Sequence, residues 1–135
     1  DFTCPLPSVG RISTYFGEPD AVYNKPHTGA DMPAASGTLI YAVADGVVSA
    51  ASARPRYGNC VQIDHGTADD GSSYATLYAH MSRFCVSAGQ TVHKGDVIGY
   101  VGNTGDVRGA NGGYHLHLEL RINGTRTDPL QYIPH

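Results

Sequence analysis

Short apolar runs rich in β-branched residues alternate along this sequence with Gly, Pro, Asn and Asp. A helix would need apolar residues spaced three and four apart over about ten or more positions, and such periodicity is hard to find here. The pattern is typical of a chain built from strands, so we predict an all-β fold with little helix. The predicted strands are Arg11–Tyr15, Leu39–Val43, Gly46–Ser52, Asn59–Asp64, Tyr74–His80, Val97–Val101 and Tyr114–Ile122.

Turn residues predict how some of these strands are connected. We expect one hairpin to join the third and fourth strands, and another to cross the polar stretch Gly66–Ser73. Asn123-Gly124 predicts a two-residue hairpin, because both central positions of a type I′ turn need positive φ. Asp128-Pro129 is expected to end the sheet. No linker or change of composition divides the chain, so we predict one domain over residues 1–135.

Composition excludes several classes of protein. Hydrophobic residues make up 41% of the chain, which includes nine Tyr and three Phe, and this argues against disorder. No apolar run approaches the roughly 18 residues of a membrane span. The formal charge of −3 disfavours a nucleic-acid partner, which needs a basic face. The chain carries no signal-like segment, so if it is secreted we expect the signal to have been removed.

The cysteines Cys4, Cys60 and Cys85 allow at most one internal disulfide. No Cys-x-x-Cys pair occurs, which argues against a thiolate zinc site or a thioredoxin-like redox site. For a bridge we favour Cys60–Cys85, because the strands that hold or precede these residues are expected to be hairpin neighbours. Three reduced cysteines that pack as small hydrophobes fit the sequence equally well.

Seven histidines are unusual in so short a chain, and four of them lie in three segments that carry candidate chemistry. Pro26–Asp31 contains an H-x-x-x-D spacing, Tyr78–Ser82 reads Tyr-Ala-His-Met-Ser, and Tyr114–Glu119 contains H-x-H followed by Leu-Glu. In the third segment residues two apart share a strand face. His115 and His117 therefore line one face together with the glutamate, and the intervening leucines are expected to face the core.

These segments together can supply a metal site. A catalytic zinc takes three N or O ligands and leaves one position for water. His27, Asp31 and His117 would provide two imidazoles and one carboxylate, while His80 and His115 would lie close but unligated, able to move protons. No H-E-x-x-H motif occurs, so imidazole rather than a glutamate of that motif must act as the base.

The order H-x-x-x-D, then Y-A-H-M-S, then H-x-H with a following acidic residue resembles the lysostaphin- and LytM-type zinc metallopeptidases, which cut peptide bonds in bacterial peptidoglycan. The likeness covers about residues 6–133. Matching phrases are Tyr15-Phe16-Gly17, Ala42–Val48, Gly58-Asn59, Asp64-His65-Gly66, Gly95–Gly99, Gly102–Gly105 and Asp128-Pro129.

The resemblance implies a mostly antiparallel sheet with long loops that form a groove. It implies one Zn²⁺ per chain on His27, Asp31 and His117, with His80 and His115 as the catalytic histidines. The implied activity is that of a zinc-dependent endopeptidase that hydrolyses peptide bonds in peptidoglycan stem peptides or cross-bridges through a zinc-activated water. We further expect a secreted or periplasmic, bacteriolytic monomer whose partner is the peptidoglycan peptide, with no nucleic acid and no membrane insertion.

Several alternatives remain open from the sequence. Tyr23, Asn24 and Tyr114 flank the ligand segments and are candidate substrate contacts, although loop packing explains them equally well. Tyr114 stands where many family members have Pro, which leaves the substrate preference open. Glu119 can orient a ligand ring or pair with Arg121, and we favour Arg121. A non-catalytic cell-wall-binding or regulatory domain of the same fold is the alternative function, and such members typically lack one or more ligands.

Overall fold

A computed structural model describes residues 1–20, 24–107 and 112–135 of the chain. The regular secondary structure of the described residues is almost entirely strand, and the all-β prediction is confirmed. Among them no helix is both long and apolar enough to cross a membrane. The elements are β1 (Pro19–Asp20), β2 (Lys25–Pro26), β3 (Ala30–Pro33), β4 (Leu39–Tyr41), β5 (Gly46–Arg54), β6 (Gly58–Thr67), β7 (Ser73–Phe84), β8 (Thr91–Val92), β9 (Val97–Val101), β10 (His115–Ile122), β11 (Thr125–Thr127) and a 3-10 helix at Pro129–Gln131.

Most strands form one large antiparallel sheet, while β1 and β2 form a separate two-stranded sheet. The main path runs β11-β10-β7-β6-β5-β8, with β3 paired to β10, and with β9 paired to both β4 and β7. Strand β7 pairs with β6 along one edge and is long enough to pair with two further strands along the other. It pairs with β10 from Tyr74 to Ala79 and with β9 from Met81 onward. His80 lies between these two stretches and has a positive φ of 62°.

Strand β10 is buried on both faces. Its leucines, Leu116, Leu118 and Leu120, are fully buried and join one hydrophobic core with residues such as Met32 and Tyr78. Each leucine contributes about 1.5–3 kcal/mol by leaving water. The opposite face carries the histidines and the glutamate, which are also buried. The predicted division of this strand into an apolar face and a polar face is therefore correct, and the polar face is covered as well.

The predicted hairpins are present. Strands β5 and β6 are hairpin neighbours, as are β6 and β7 across the polar stretch. Asn123 and Gly124 connect β10 to β11 with φ values of 53° and 80°, both positive as a type I′ turn requires. Strand β9 has the predicted bounds.

The predicted strand Arg11–Tyr15 is wrong. Within it only Thr14 forms a bridge, with Asp31, and the adjoining backbone bonds are Ser13 N–H to the Asp31 carbonyl and Asp31 N–H to the Thr14 carbonyl. The chain turns away soon afterwards at Gly17, whose φ is 84°. The partner in this bridge, β3, was not predicted, because Ala-Asp-Met-Pro contains no β-branched residue. Pairing with β10 makes β3 a strand despite its low propensity.

The proposed disulfide is not formed, because Cys4, Cys60 and Cys85 are all free thiols in the structure. Strands β6 and β7 are neighbours as expected, but their register separates the two favoured residues. Cys60 lies opposite the stretch of β7 between Tyr78 and Met81, whereas Cys85 lies beyond the end of that strand. The alternative with reduced thiols therefore describes the structure.

His65 has a structural role away from the other histidine segments. Its Nδ1 lies 2.8 Å from the Asp45 carbonyl oxygen and its Nε2 lies 2.7 Å from Thr76 Oγ1. The Thr76 hydroxyl in turn lies 2.8 Å from the hydroxyl of buried Tyr78. Burial lowers the pKa of His65, and its hydrogen bond to Asp45 and nearby carboxylates only partly oppose this shift. The folded chain therefore holds this imidazole neutral.

We expect this neutral imidazole to make the chain less stable in mild acid. Since the pKa of His65 is lowered on folding, its contribution is present above the unfolded pKa of about 6.5 and is lost as the pH falls below it. Urea unfolding of the metal-free chain at pH 7.5 and 5.5 measures this change. The free energy of unfolding should fall more over this interval in the wild type than in His65→Asn, and an equal fall in both would contradict the assignment.

Candidate metal centre and active site

Three candidate metal ligands are brought together by the pairing of β3 with β10. Asp31 lies directly opposite His117 in the register of these strands, and His27 follows β2 immediately. Asp31 Oδ1 lies 2.7 Å from His117 Nδ1 and 3.1 Å from His27 Nε2. One donor atom from each residue fits within a 4.8 Å cluster. The structure thus places all three predicted ligands at one point.

The donor set fits a divalent metal ion. Two imidazole nitrogens and one carboxylate oxygen are ligands that zinc accepts. His27 Nε2 is buried and has no hydrogen-bond partner among the described residues, although Asp31 lies close to it. A buried polar atom without a partner is costly in a folded protein, and a cation between these groups would supply that partner. The cluster is therefore a candidate metal centre.

The electrostatics of the metal-free site favour a positive charge among these ligands. Burial alone would lower the pKa of His117, but hydrogen bonds and charge from Asp31 and Glu119 outweigh it and raise this pKa to about 9. Burial likewise raises the pKa of Asp31, yet the hydrogen bond to His117 and the nearby ring of His27 hold it well below the usual range. A protonated His117 thus donates to one carboxylate on each side, and a metal ion bound beside Asp31 would take over the stabilisation of that carboxylate.

His80 and His115 lie beside the candidate ligands, with ring centroids 4.8 Å apart. His80 Nδ1 is 2.8 Å from the Thr104 carbonyl oxygen, and His115 Nδ1 is 2.6 Å from that of Gly113. A carbonyl only accepts, so each Nδ1 carries the hydrogen and each Nε2 keeps its lone pair when the ring is neutral. His115 Nε2 lies 3.7 Å from Asp31 Oδ1. Both rings are therefore placed to accept a proton at Nε2.

The pKa of His80 supports such a role. Burial lowers this pKa to about 4, and the neighbouring histidines add to the effect, while the bond to the Thr104 carbonyl and the charge of Asp31 oppose it. His80 is consequently neutral near pH 7. A neutral imidazole with a free lone pair can act as a general base.

The loop after β9 fixes the position of His80. Thr104 donates its hydroxyl to the Met81 carbonyl at 2.6 Å and accepts the Asn59 N–H at 3.0 Å, while its own carbonyl holds the His80 ring. The loop can lie this close to the start of β6 only because residue 58 is glycine, since a Cβ on Gly58 would overlap the Thr104 carbonyl carbon. The backbone at His80 is in the left-handed region, which is a strained conformation often found at functional sites.

The predicted substrate contacts are less defined by the structure. Tyr23 lies outside the described residues. Asn24 is exposed and has a φ of 53° just before β2. Tyr114 is 37% exposed, directly precedes His115, and its carbonyl accepts the Ala34 N–H. A substrate role for these three residues remains a prediction.

Glu119 has closer partners than the expected Arg121. Arg121 Nη2 is 3.8 Å from Glu119, whereas Nε2 of His117 lies 2.9 Å away. Glu119 also accepts hydrogen bonds from the hydroxyls of Tyr57 at 2.6 Å and Thr28 at 2.7 Å. The preference for Arg121 is thus corrected in favour of the ring contact. Sequence reasoning did not assign Tyr57 or Thr28 to the site, since neither lies in a recognisable spacing with Glu119.

The family of the chain follows from its sequence. The model of peptidase family M23 matches residues 25–129, which is more than half of the chain, and the chain therefore belongs to this family. The matched range contains every candidate ligand and both neighbouring histidines. The resemblance inferred from the motifs is confirmed.

Curated relatives include proteins of two kinds. The chain is 40% identical over 124 residues to the peptidoglycan DD-endopeptidase ShyA of Vibrio cholerae, which covers 89% of the chain and 27% of ShyA. It is 34% identical over 129 residues to the murein hydrolase activator NlpD of Escherichia coli, which covers 95% of the chain and 30% of NlpD. The chain therefore spans less than a third of the length of these relatives.

A solved structure extends the likeness to the fold. The catalytic domain of the antimicrobial peptidase lysostaphin from Staphylococcus simulans superposes with a TM-score of 0.76 at 26% sequence identity. The match covers 90% of this chain and 90% of that domain. The similarity thus extends over nearly the whole of both chains.

We expect the close packing at Gly58 to be needed for the position of His80. Gly58→Ala adds a methyl group against the Thr104 backbone, whereas Gly71→Ala is a matched control whose added Cβ meets nothing within 4 Å. Both glycines have positive φ, so both variants carry a similar left-handed strain of about 1–2 kcal/mol. Overpacking should cost Gly58→Ala a further ~1–3 kcal/mol in the free energy of unfolding.

Urea unfolding of the two variants measures this difference, and NMR of the His80 Nδ1 proton shows whether its bond to Thr104 is retained. The proton signal should shift or be lost in Gly58→Ala and should be unchanged in Gly71→Ala. Equal stability losses together with an unchanged signal in both variants would show that the loop does not fix His80.

Proposed function

We propose that this chain is a zinc-dependent endopeptidase domain, spanning residues 1–135, that hydrolyses peptide bonds in bacterial peptidoglycan. One observation carries the proposal: a candidate ligand cluster lies beside two histidines whose Nε2 atoms are free to accept protons. Membership of family M23 and the relative named as a peptidoglycan DD-endopeptidase support the class of reaction and substrate.

His27, Asp31 and His117 would hold the zinc ion. When bound, zinc polarises a peptide carbonyl and lowers the pKa of a water molecule. Two neutral imidazoles and one carboxylate leave the site with a net positive charge, which favours binding of a carbonyl oxygen. The buried surroundings strengthen this attraction, because fewer water molecules screen it.

His80 and His115 supply the proton transfers. Each holds its hydrogen on Nδ1 by bonding a backbone carbonyl, so Nε2 can take a proton from the attacking water and later deliver it to the leaving amine. The carbonyls of Thr104 and Gly113 also keep the two rings in fixed orientations. Burial keeps His80 neutral near pH 7, so its Nε2 can act as the initial base.

The substrate peptide is proposed to reach the centre past Asn24 and Tyr114, with Tyr23 as a further contact. Tyr114 offers an exposed ring and hydroxyl beside His115, which suits an extended peptide. Cell-wall peptide as substrate implies an extracellular or periplasmic site of action, and we propose that the chain acts there as a monomer. The name of the ShyA relative supports a peptidoglycan substrate.

A regulatory domain without activity is the second candidate function. The relative named as a murein hydrolase activator favours it, since it covers 95% of this chain. The constellation of side chains argues against it. A chain that only bound another protein would have no need for a buried ligand cluster with an unpartnered imidazole nitrogen beside two oriented histidines.

The proposal predicts chelator-sensitive cleavage of peptidoglycan. Zinc-loaded chain is incubated with a panel of purified peptidoglycans, and mass spectrometry identifies the released fragments and the bond that is cut. His80→Ala should bind zinc normally yet release fragments about 10²–10⁴-fold more slowly, because general acid–base catalysis has this magnitude. Asp31→Ala should lose zinc and activity together.

His93→Ala is the matched control, because this side chain is 74% exposed and lies outside the site. It should retain both zinc and activity. Fragment release that persists in chelator would exclude a metal mechanism, and full activity in His80→Ala would remove His80 from it. A zinc-loaded chain that releases no fragment from any wall would favour the regulatory function.

A further inference from the structure

Glu119 is a fully buried carboxylate in the middle of β10, on the same face as His117. Burying a carboxylate is costly unless hydrogen-bond donors surround it. Its burial is therefore informative, since an exposed position elsewhere in the sheet would have accepted a glutamate at no such cost. The donors that surround it show what the carboxylate does.

These donors come from parts of the chain that are distant in sequence. Oε2 accepts from the hydroxyls of Tyr57, at the turn before β6, and Thr28, in the loop before β3. Oε1 accepts from Arg126 Nε on β11 at 3.2 Å, and Arg126 Nη2 also donates to the Tyr57 hydroxyl at 3.3 Å. The loop of Thr28 can approach because Gly29 follows it. A Cβ on Gly29 would overlap the Leu118 carbonyl oxygen, 2.1 Å away.

These contacts determine which nitrogen of His117 keeps its hydrogen when a metal ion binds. Tyr57, Thr28 and Arg126 donate to Glu119, so the glutamate is an ionised acceptor with no hydrogen to offer. His117 Nε2, 2.9 Å from Oε2, must therefore donate to it. Nδ1 lies 2.7 Å from the Asp31 carboxylate, so in the metal-free chain the ring carries a hydrogen on each nitrogen. A metal ion held by Asp31 and His27 would replace the Nδ1 hydrogen, whereas the Nε2 hydrogen stays in its bond to the buried Glu119.

With a metal ion bound, the two histidines of H-x-H would consequently take opposite tautomers. His115 bonds the Gly113 carbonyl through Nδ1, whereas His117 bonds Glu119 through Nε2. Two residues apart on one strand, the rings would otherwise present the same atoms to the site. Different acceptors therefore assign them different functions, one as a proton acceptor at Nε2 and one as a ligand at Nδ1.

We propose that Glu119, held by Tyr57, Thr28 and Arg126, is a positioning residue that fixes His117 as an Nδ1 ligand of the metal. The inference rests on the proposed metal site but does not require that the chain hydrolyses peptidoglycan. Glu119 does not touch substrate in this arrangement and acts only through His117. Tyr57 supports it in turn by holding Oε2 in place.

Zinc affinity tests the proposal without substrate. Competition between the chain and a chromophoric chelator for zinc chloride gives the dissociation constant of each variant. Glu119→Gln should weaken zinc binding about 10–100-fold, the usual cost of losing an acceptor behind a ligating histidine. Tyr57→Phe removes only one hydroxyl and should give a smaller loss in the same direction.

Tyr74→Phe is the matched control, since it removes the same hydroxyl from a tyrosine whose ring packs against Phe2 instead. Its zinc affinity should equal that of the wild type. Wild-type affinity in a folded Glu119→Gln would overturn the proposal. If Glu119→Gln fails to fold, two results together would overturn the proposal. These are wild-type zinc affinity in Tyr57→Phe and a hydrogen on Nδ1 of His117 in the zinc-loaded wild type.

Two-bond ¹H–¹⁵N NMR of the zinc-loaded wild type provides the readout that a purely structural role would not change. His117 should show hydrogen on Nε2 and a metal-bonded Nδ1, while His115 should show hydrogen on Nδ1. Zinc on Nε2 of His117 would overturn the proposal. A chain with the expected tautomers and affinities that cleaves no peptidoglycan would remove the proposed function and leave this inference intact.

Discussion

The pairing of β10 with β3 and β7 is the interaction on which both the core and the site depend. One face of β10 anchors the core through Leu116, Leu118 and Leu120, and the other presents His115, His117 and Glu119. Since side chains alternate along a strand, every residue added to the core fixes the direction of its polar neighbour. A shift of one residue would bury the histidines in the core and remove Asp31 from its place opposite His117.

Burial of the polar face gives each histidine its chemistry. An exposed imidazole would titrate near pH 6.5 and would rotate freely, so it would offer either nitrogen. In this site His80 is kept neutral by burial, whereas His117 is kept charged in the metal-free chain by two carboxylates. The pKa values of two similar side chains are thus shifted in opposite directions within the same buried site. The reason is that His117 faces two carboxylates, whereas His80 bonds a neutral backbone carbonyl.

The sequence was sufficient for features that depend on local pattern. The period of two in His115–Glu119 and the Asn123-Gly124 turn each have a direct structural reading, and β9 has its predicted bounds. Strand β3 could not be read in this way, because its residues have low strand propensity and only β10 makes them a strand. The prediction of a strand at Arg11–Tyr15 was wrong for the converse reason. These residues have a suitable pattern, but only one of them, Thr14, forms a bridge.

The surroundings of Glu119 illustrate why part of a site stays hidden in one sequence. The ligand segments could be found because metal chemistry restricts residue type and spacing. The supporting residues Tyr57 and Arg126 obey no spacing, and register between distant strands brings them together. Of the two, Arg126 could have been located more easily from the sequence, because the hairpin turn at Asn123-Gly124 places it opposite Arg121. The candidate metal ligands can thus be found from the sequence, whereas the residues that orient them are brought into place by the fold.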